Sequence, residues 1–261
     1  MIKAKLYAFD VHGVLITRML DDPEVLGGHE VVRRLKLNGG RVAVIGSGSN
    51  WSTREYAERL RALGFGFDDD EVWPAARVAR VHLSRVFGKA HVLVVGEDGL
   101  REELEAGGHV AVEDWREAEA VVVGHDRKIT FEKLTAAIRA VAAGAYFLAV
   151  NKVRWYYMPD QGPILSPGAI VAAIEHQTRR EAVVVGKPSP VHYMEVLNHF
   201  GVRPQEAVMV GDDVEADMMP AKTLGMKTVL VDFKRRWDSQ HYPRGLVDLV
   251  VGHVDDLLKY I

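Results

Sequence analysis

Short, uninterrupted apolar runs alternate along this chain with longer segments of helical periodicity. The first run, Leu6 to Val11, is followed by a helical pattern from Val31 to Leu37 and by a second run from Arg41 to Ile45. Runs that are apolar throughout, rather than at every second residue, are typical of strands that are covered on both faces. The alternation therefore predicts an α/β fold built on a parallel sheet.

The same alternation continues along the rest of the chain. Helical patterns lie at about Ser52–Leu63, Leu100–Glu105 and Phe131–Ala143. The further predicted strands are His91–Val95, His109–Val112, Ala120–Val123, Tyr146–Val150, Glu181–Val185, Ala207–Val210 and Thr228–Val231. Turn-forming residues from Met158 to Pro163 interrupt the series before it resumes.

Composition and charge exclude several functional classes. The 261 residues contain no cysteine, which excludes disulfides and thiolate metal sites. A formal net charge of -3 gives no sign of a nucleic-acid or membrane surface. No apolar run approaches the roughly 18 residues of a membrane span, and the N-terminus lacks the features of a signal peptide. We therefore expect a cytoplasmic enzyme with neither a nucleic-acid nor a membrane partner.

Four candidate sites each follow the carboxyl end of a predicted strand. They are Asp10, the Gly46–Asn50 loop, Lys187 and Asp212. Ligands of open α/β sheets bind outside these strand ends, so the four sites are expected to meet. The loop can present N–H groups and hydroxyls to an anion, and Lys187 adds a positive charge.

The carboxylates near Asp212 favour a hard metal ion. Asp212, Asp213 and Asp217 offer oxygen ligands, which suit Mg²⁺ better than Zn²⁺. A nucleophilic carboxylate, an anion-binding loop, a lysine and a metal site together indicate phosphoryl transfer to an aspartate.

Three motifs, in order along the chain, resemble those of the haloacid dehalogenase (HAD) superfamily of phosphohydrolases. Phe9–Val14 reads FDVHGV where the family usually has Asp-x-Asp-Gly, Val185–Pro190 reads VGKPSP, and Val210–Asp217 reads VGDDVEAD. More narrowly, the chain resembles subfamily IIA, with a C2-type cap, which contains the p-nitrophenyl phosphatase and NagD-like proteins. The resemblance implies a Rossmann-like core, residues 1–72 and 163–261, with an inserted α/β cap domain at 73–162.

The resemblance also implies a role for each motif residue in the Mg²⁺-dependent hydrolysis of a small phosphorylated metabolite. Asp10 would attack phosphorus and form an aspartyl-phosphate. The side chains of Asp10 and Asp212 and the main-chain carbonyl of His12 would hold Mg²⁺, with Asp217 supporting the metal or its waters. Caps of this size often contribute to dimer contacts in similar proteins, so a homodimer is also an expectation.

The remaining implied roles concern the phosphate. Lys187 would neutralise charge between the nucleophile and the phosphoryl oxygens, and the loop with Ser47 and Gly48 would bind the transferred group. This loop departs from the family pattern, in which Thr or Ser directly follows the strand, so the hydroxyl comes from Ser47 or Ser49. In the cap, Asp126, Asn151 and Arg154 are candidates to face the substrate.

His12 is the more serious departure, because the family has an aspartate there that protonates the leaving oxygen and then activates water. Imidazole can donate and accept protons near neutral pH, but it is bulkier than a carboxylate. His12 could be a working general acid/base, a damaged one, or a structural replacement. The alternatives to a phosphatase are accordingly a catalytically weak or inactive phosphometabolite-binding protein, or a phosphotransferase.

Overall fold

The computed structural model describes residues 2–17, 23–154, 156–158, 162–232 and 243–261. The chain divides into two compact units. The first comprises Met1–Gly46, Ala57–Trp73 and His192–Ile261, and the second comprises Ser47–Tyr56 and Pro74–Val191. Within the described residues, no helix is both long and apolar enough to cross a membrane.

The strands are short and most are largely buried. In chain order they are β1 (Leu6–Asp10), β2 (Arg41–Gly46), β3 (Val72–Pro74), β4 (His91–Val95), β5 (Val110–Ala111), β6 (Ala120–Val123), β7 (Tyr146–Ala149), β8 (Tyr156–Met158), β9 (Gly162–Ile164), β10 (Val183–Val184), β11 (Ala207–Gly211), β12 (Lys227–Val231) and β13 (Leu249–Val251).

Helices separate most of these strands. They are α1 (His29–Leu37), α2 (Thr53–Ala62), α3 (Ala75–Phe87), α4 (Asp98–Ala106), α5 (Phe131–Ala143), α6 (Pro167–Thr178), α7 (Pro190–Phe200) and α8 (Met219–Leu224). Shorter 3₁₀ turns lie at Asp69–Glu71, Pro204–Glu206 and Val254–Lys259, and one π-helical turn lies at Val214–Met218.

The first sheet has β1 at its centre. Its order is β13-β12-β11-β1-β2-β3, and the pairs β13–β12, β12–β11, β11–β1 and β1–β2 are parallel. Strand β1 is buried along its whole length, as its uninterrupted apolar run predicts. The chain proceeds outward from β1 through β2 on one side and from β11 through β12 on the other. The boundary between β1 and β11 is therefore a topological switch point, where ligands of α/β sheets bind.

The second sheet is parallel and has the order β10-β7-β6-β4-β5. Helices α5 and α6 pack together over its central strands. The resulting core contains Val95, Val121, Val141 and Ile174, all fully buried. In the same unit, α3 packs against α4.

The predicted α/β fold is confirmed. The predicted strand at Glu181–Val185 is present as β10, which pairs with β7 at the edge of the second sheet. Val183 is exposed there and Val184 is half-buried. The predicted limits of the inserted domain, 73–162, stay a prediction. The turn expected near 158–163 lies partly outside the described residues, since these omit 159–161.

Candidate active site

Three carboxylates meet at the switch point of the first sheet. Asp10 ends β1, Asp212 directly follows β11, and Asp217 lies in the π-helical turn beyond it. One carboxylate oxygen from each lies within 4.8 Å of the others. The parallel register of β1 and β11, with Phe9 opposite Val210, brings both strand ends to the same edge. The predicted grouping of these carboxylates is thus present within one unit.

Two glycines allow the carboxylates to approach the backbone this closely. Gly13 has a φ of +83°, and a Cβ there would lie 2.1 Å from Oδ2 of Asp212. A Cβ on Gly211 would lie 2.4 Å from Oδ2 of Asp217. Any side chain at either position would displace a carboxylate. The close set of hard oxygen donors fits a cation such as Mg²⁺.

The turn after β11 is organised by Asp213 and Asp217. The Asp213 carboxylate accepts the amides of Glu215 and Ala216, both at 2.8 Å. Asp217 is fully buried, and its Oδ2 accepts the Asp213 amide at 3.3 Å. Asp213, one of the predicted hard ligands, thus caps the turn with its Oδ1.

His12 lies in a tight loop that begins directly after β1, which ends at Asp10. The amides of Leu15 and Ile16 both donate to the Val11 carbonyl at 3.0 Å, and the Gly13 amide donates to the Ile16 carbonyl at 2.8 Å. The His12 side chain is half-buried. These bonds fix the course of the chain on either side of His12.

The second unit contains the loop that follows β2. Ser49 is 1% exposed, and its Oγ accepts the His125 amide at 3.0 Å. Ser47 is half-buried, and its carbonyl accepts a hydrogen bond from Nδ2 of Asn151 at 3.1 Å. The Ser49 hydroxyl thus binds a buried amide of its own unit, and Ser47 carries the more exposed hydroxyl of the loop.

Lys187 also belongs to the second unit and is 3% exposed. It follows Gly186, whose amide donates to the Val150 carbonyl at 2.7 Å. A Cβ on Gly186 would lie 2.1 Å from that carbonyl oxygen, so only glycine fits. Asn151 directly follows Val150 and donates to the Ser47 carbonyl. These two successive residues therefore connect the Ser47 loop to the segment that carries Lys187.

Two cap residues expected to face the substrate have partners inside the second unit. Asn151 is 1% exposed; besides donating to Ser47, it accepts the Val153 amide at 3.2 Å. Asp126 is 3% exposed and pairs with Lys133 at 2.7 Å. Both side chains position local backbone or neighbouring groups.

The sequence reasoning missed one residue beside the carboxylates. Tyr193, on α7, is fully buried, and its hydroxyl donates to the Ala216 carbonyl at 2.6 Å. Burial raises the pKa of Tyr193 well above its usual value, and the nearby charges of Asp217 and Asp10 and a side-chain hydrogen bond with Asp217 raise it further. The hydroxyl therefore remains protonated and able to donate.

Comparison with known proteins identifies the family. A family model described as haloacid dehalogenase-like hydrolase matches residues 7–109, and a second, HAD-hydrolase-like model matches residues 184–257. Chronophin from Bos taurus is 32% identical over 242 residues, which cover 87% of this chain and 81% of chronophin. The chain belongs to the haloacid dehalogenase-like hydrolases.

Other relatives of this HAD hydrolase are phosphatases by name. The p-nitrophenyl phosphatase from Archaeoglobus fulgidus superposes with a TM-score of 0.90 at 33% identity, and the match covers 100% of both chains. Dihydroxyacetone phosphatase from Corynebacterium glutamicum (strain R) is 29% identical over 225 residues, covering 86% of this chain and 80% of that enzyme. The HAD hydrolase is thus a phosphohydrolase of the p-nitrophenyl phosphatase and NagD-like group, with a Rossmann-like core and an α/β cap.

Proposed function

We propose that this HAD hydrolase is a Mg²⁺-dependent phosphatase that hydrolyses a small phosphate monoester through an aspartyl-phosphate on Asp10. The observation that carries this proposal is the cluster of Asp10, Asp212 and Asp217 at the switch point of the first sheet. The names p-nitrophenyl phosphatase and dihydroxyacetone phosphatase denote enzymes of small phosphate esters, which supports a substrate of that class.

The residues present fit the metal that this chemistry requires. Asp10, Asp212 and Asp217 would hold Mg²⁺ together with the main-chain carbonyl of His12, a backbone donor that the aspartate-to-histidine change leaves intact. Gly13 supports the fit, because any Cβ there would displace the Asp212 carboxylate. Bound Mg²⁺ would supply positive charge that lets an anionic carboxylate approach an anionic phosphate.

Asp10 and His12 carry the covalent chemistry in this proposal. A carboxylate oxygen of Asp10 attacks phosphorus, and the bond from phosphorus to the ester oxygen breaks. The imidazolium of His12 gives its proton to that leaving oxygen. His12 then takes a proton from water, whose oxygen attacks phosphorus and releases phosphate and free Asp10.

Lys187, Ser47 and Gly48 complete the proposal as phosphate-binding groups. The Lys187 ammonium would neutralise phosphoryl oxygens, while the Ser47 hydroxyl and the Gly48 amide would bind the transferred group. Their motif positions support these roles, as do the hydrogen bonds that connect their segments through Val150 and Asn151. A cytoplasmic location and a homodimer stay predictions.

Substitution of the nucleophile tests this function. We expect Asp10→Asn to lower turnover of p-nitrophenyl phosphate in Mg²⁺ by at least about 10³-fold, because an amide cannot form the intermediate. The matched control is Asp114→Asn, because the exposed Asp114 carboxylate binds the amide and guanidinium of neighbouring Arg116 among the described residues. Its turnover should equal that of the unmodified protein.

Two further measurements separate the alternatives. Acid-quenched protein should contain phosphate on Asp10 during turnover, and added alcohols should yield no alkyl phosphate. Full activity in Asp10→Asn would refute the nucleophile. Stabilisation by phosphate esters without turnover in the unmodified protein would instead support a binding protein, and alkyl phosphate products would support a phosphotransferase.

A further inference from the structure

A proline follows the turn that carries Asp217. Pro220 lies four residues after Ala216, in the first turn of α8. Proline has no N–H to donate to the carbonyl four residues earlier, and its ring crowds that carbonyl. The chain forms a π-helical turn at Val214–Met218, directly before α8, instead of an α-helical one. Such turns accommodate local disruption of the helical ladder and are frequent at functional sites.

A side chain from another helix supplies a hydrogen bond to the same carbonyl. The Tyr193 hydroxyl donates to the Ala216 carbonyl oxygen at 2.6 Å. Tyr193 is fully buried on α7, so water does not compete for this bond. Phenylalanine would fill the same volume without the hydroxyl, which makes the bond separable from the packing.

The bonded carbonyl belongs to the residue directly before Asp217. On its other side, the Ala216 amide donates to the capping carboxylate of Asp213 at 2.8 Å. Asp217 in turn accepts the Asp213 amide. Its carboxylate occupies the space that a Cβ on residue 211 would need, which the glycine there leaves open. A shift of this turn therefore moves the Asp217 carboxylate relative to the other two.

We propose that Tyr193 is a positioning residue, whose hydroxyl holds the Ala216 carbonyl and thereby places the Asp217 carboxylate in the cluster with Asp10 and Asp212. The proposal rests on the Mg²⁺ site of the proposed function. It also explains why a buried tyrosine stands on α7 at this position in a chain that has proline at residue 220.

Metal affinity in the absence of substrate is the first test. Calorimetric titration of Mg²⁺ into the metal-free protein should show binding weakened by about 3- to 10-fold in Tyr193→Phe, the range set by loss of one buried hydrogen bond. The matched control is Tyr7→Phe. Tyr7 is a nearly buried tyrosine of the same unit whose hydroxyl donates to the Ile2 carbonyl and accepts the Ala4 amide. This variant should lose thermal stability while keeping the Mg²⁺ affinity of the unmodified protein.

Hydrogen exchange in metal-free protein tests the turn independently of the metal. The amides of Asp217 and Met218 both donate to the Asp213 carbonyl, so they report on the turn. Their exchange should be about 3- to 10-fold faster in Tyr193→Phe and unchanged in Tyr7→Phe. Equal exchange and equal Mg²⁺ affinity in Tyr193→Phe and the unmodified protein would overturn the proposal. Absence of Mg²⁺ binding in the unmodified protein would refute the metal site of the proposed function, and the exchange rates would then decide whether Tyr193 holds the turn.

The effects of substituting Pro220 and Tyr193 on Mg²⁺ affinity should also depend on each other. Pro220→Ala restores an N–H four residues after Ala216, so the effect of Tyr193→Phe on Mg²⁺ affinity should be smaller in that background. Strictly additive effects in the double variant would refute the compensating role of the hydroxyl.

Discussion

At the scale of single residues, His12 is where this chain departs from the usual first motif of the HAD family, Asp-x-Asp-Gly. The backbone bonds around it keep the loop after Asp10 closely defined, with Val11 accepting two amides and Gly13 bonded to Ile16. In the proposed mechanism, a histidine at residue 12 changes the group that transfers protons and leaves in place the main-chain carbonyl that would bind Mg²⁺. If His12 acts as proposed, the replacement alters the rates of leaving-group protonation and of water activation.

Substitutions at residue 12 measure this effect. We expect His12→Asp to raise kcat for p-nitrophenyl phosphate, because a carboxylic acid is smaller and restores the family's proton donor. His12→Asn matches His12→Asp in size but cannot transfer a proton, so it is the control, and its kcat should fall by about 10²- to 10⁴-fold below that of the unmodified protein. If His12→Asn kept the kcat of the unmodified protein, the imidazole would have no part in proton transfer.

At the scale of elements, the segment after β7 connects two parts of the candidate phosphate site. Asn151 binds the Ser47 carbonyl and accepts the Val153 amide, and the preceding Val150 accepts the Gly186 amide beside Lys187. Parallel pairing of β7 with β10 brings these two strand ends together. One amide side chain thus holds the Ser47 loop to a segment more than one hundred positions later in the chain.

Removal of this amide should loosen the Ser47 loop. We expect Asn151→Ala to raise KM for p-nitrophenyl phosphate severalfold and to lower the free energy of unfolding by about 1 kcal/mol, because the half-buried Ser47 carbonyl loses its donor. Asn151→Asp keeps an acceptor for the Val153 amide but cannot donate to Ser47. It should therefore raise KM as well. A fall in stability with no change of KM in either variant would show that Asn151 does not position the loop.

The observed strands and helices also show which parts of the fold the sequence patterns predict. Apolar runs predicted β4 and β6 residue for residue, since strands buried on both faces have no polar interruption. Helix α3 was not predicted; its buried face includes the small side chains of Ala75, Ala76 and Ala79 and also the charged Arg77, in place of a run of large apolar residues. The π-helical turn and the bond from Tyr193 depend on a tertiary contact, which no local pattern contains.

At the scale of the whole molecule, the chain forms each unit from separate segments. Three segments build the first unit and two build the second. The resemblance to the HAD superfamily implied that one domain is inserted within another. The residues grouped with each unit could not be predicted to the same precision, because β10 and the Ser47 loop join the second unit through hydrogen bonds with partners distant in sequence.

The folded first unit depends on a carboxylate near its C-terminal end. Asp248 accepts Lys222 Nζ at 2.6 Å and the Thr228 amide at 2.9 Å, and Thr228 is fully buried at the edge of the sheet core. Burial raises the pKa of Asp248, but the hydrogen bonds from Lys222 and Thr228 outweigh it, so the pKa lies below its usual value. The ionised form is therefore favoured by folding.

Low pH should remove the contribution of the ionised Asp248 carboxylate to the free energy of unfolding. Since the pKa of Asp248 is lower in the folded than in the unfolded state, its stabilisation is complete above the unfolded pKa near 4 and is lost as pH falls through the folded pKa. We expect Asp248→Asn to lower the free energy of unfolding by about 1 kcal/mol at pH 7, a value reduced for partial exposure to solvent, and by much less at pH 3. Thermal or urea unfolding at pH 7, 5 and 3 checks this. A constant difference between the variant and the unmodified protein across that range would mean that the carboxylate charge contributes nothing and that packing alone explains the loss.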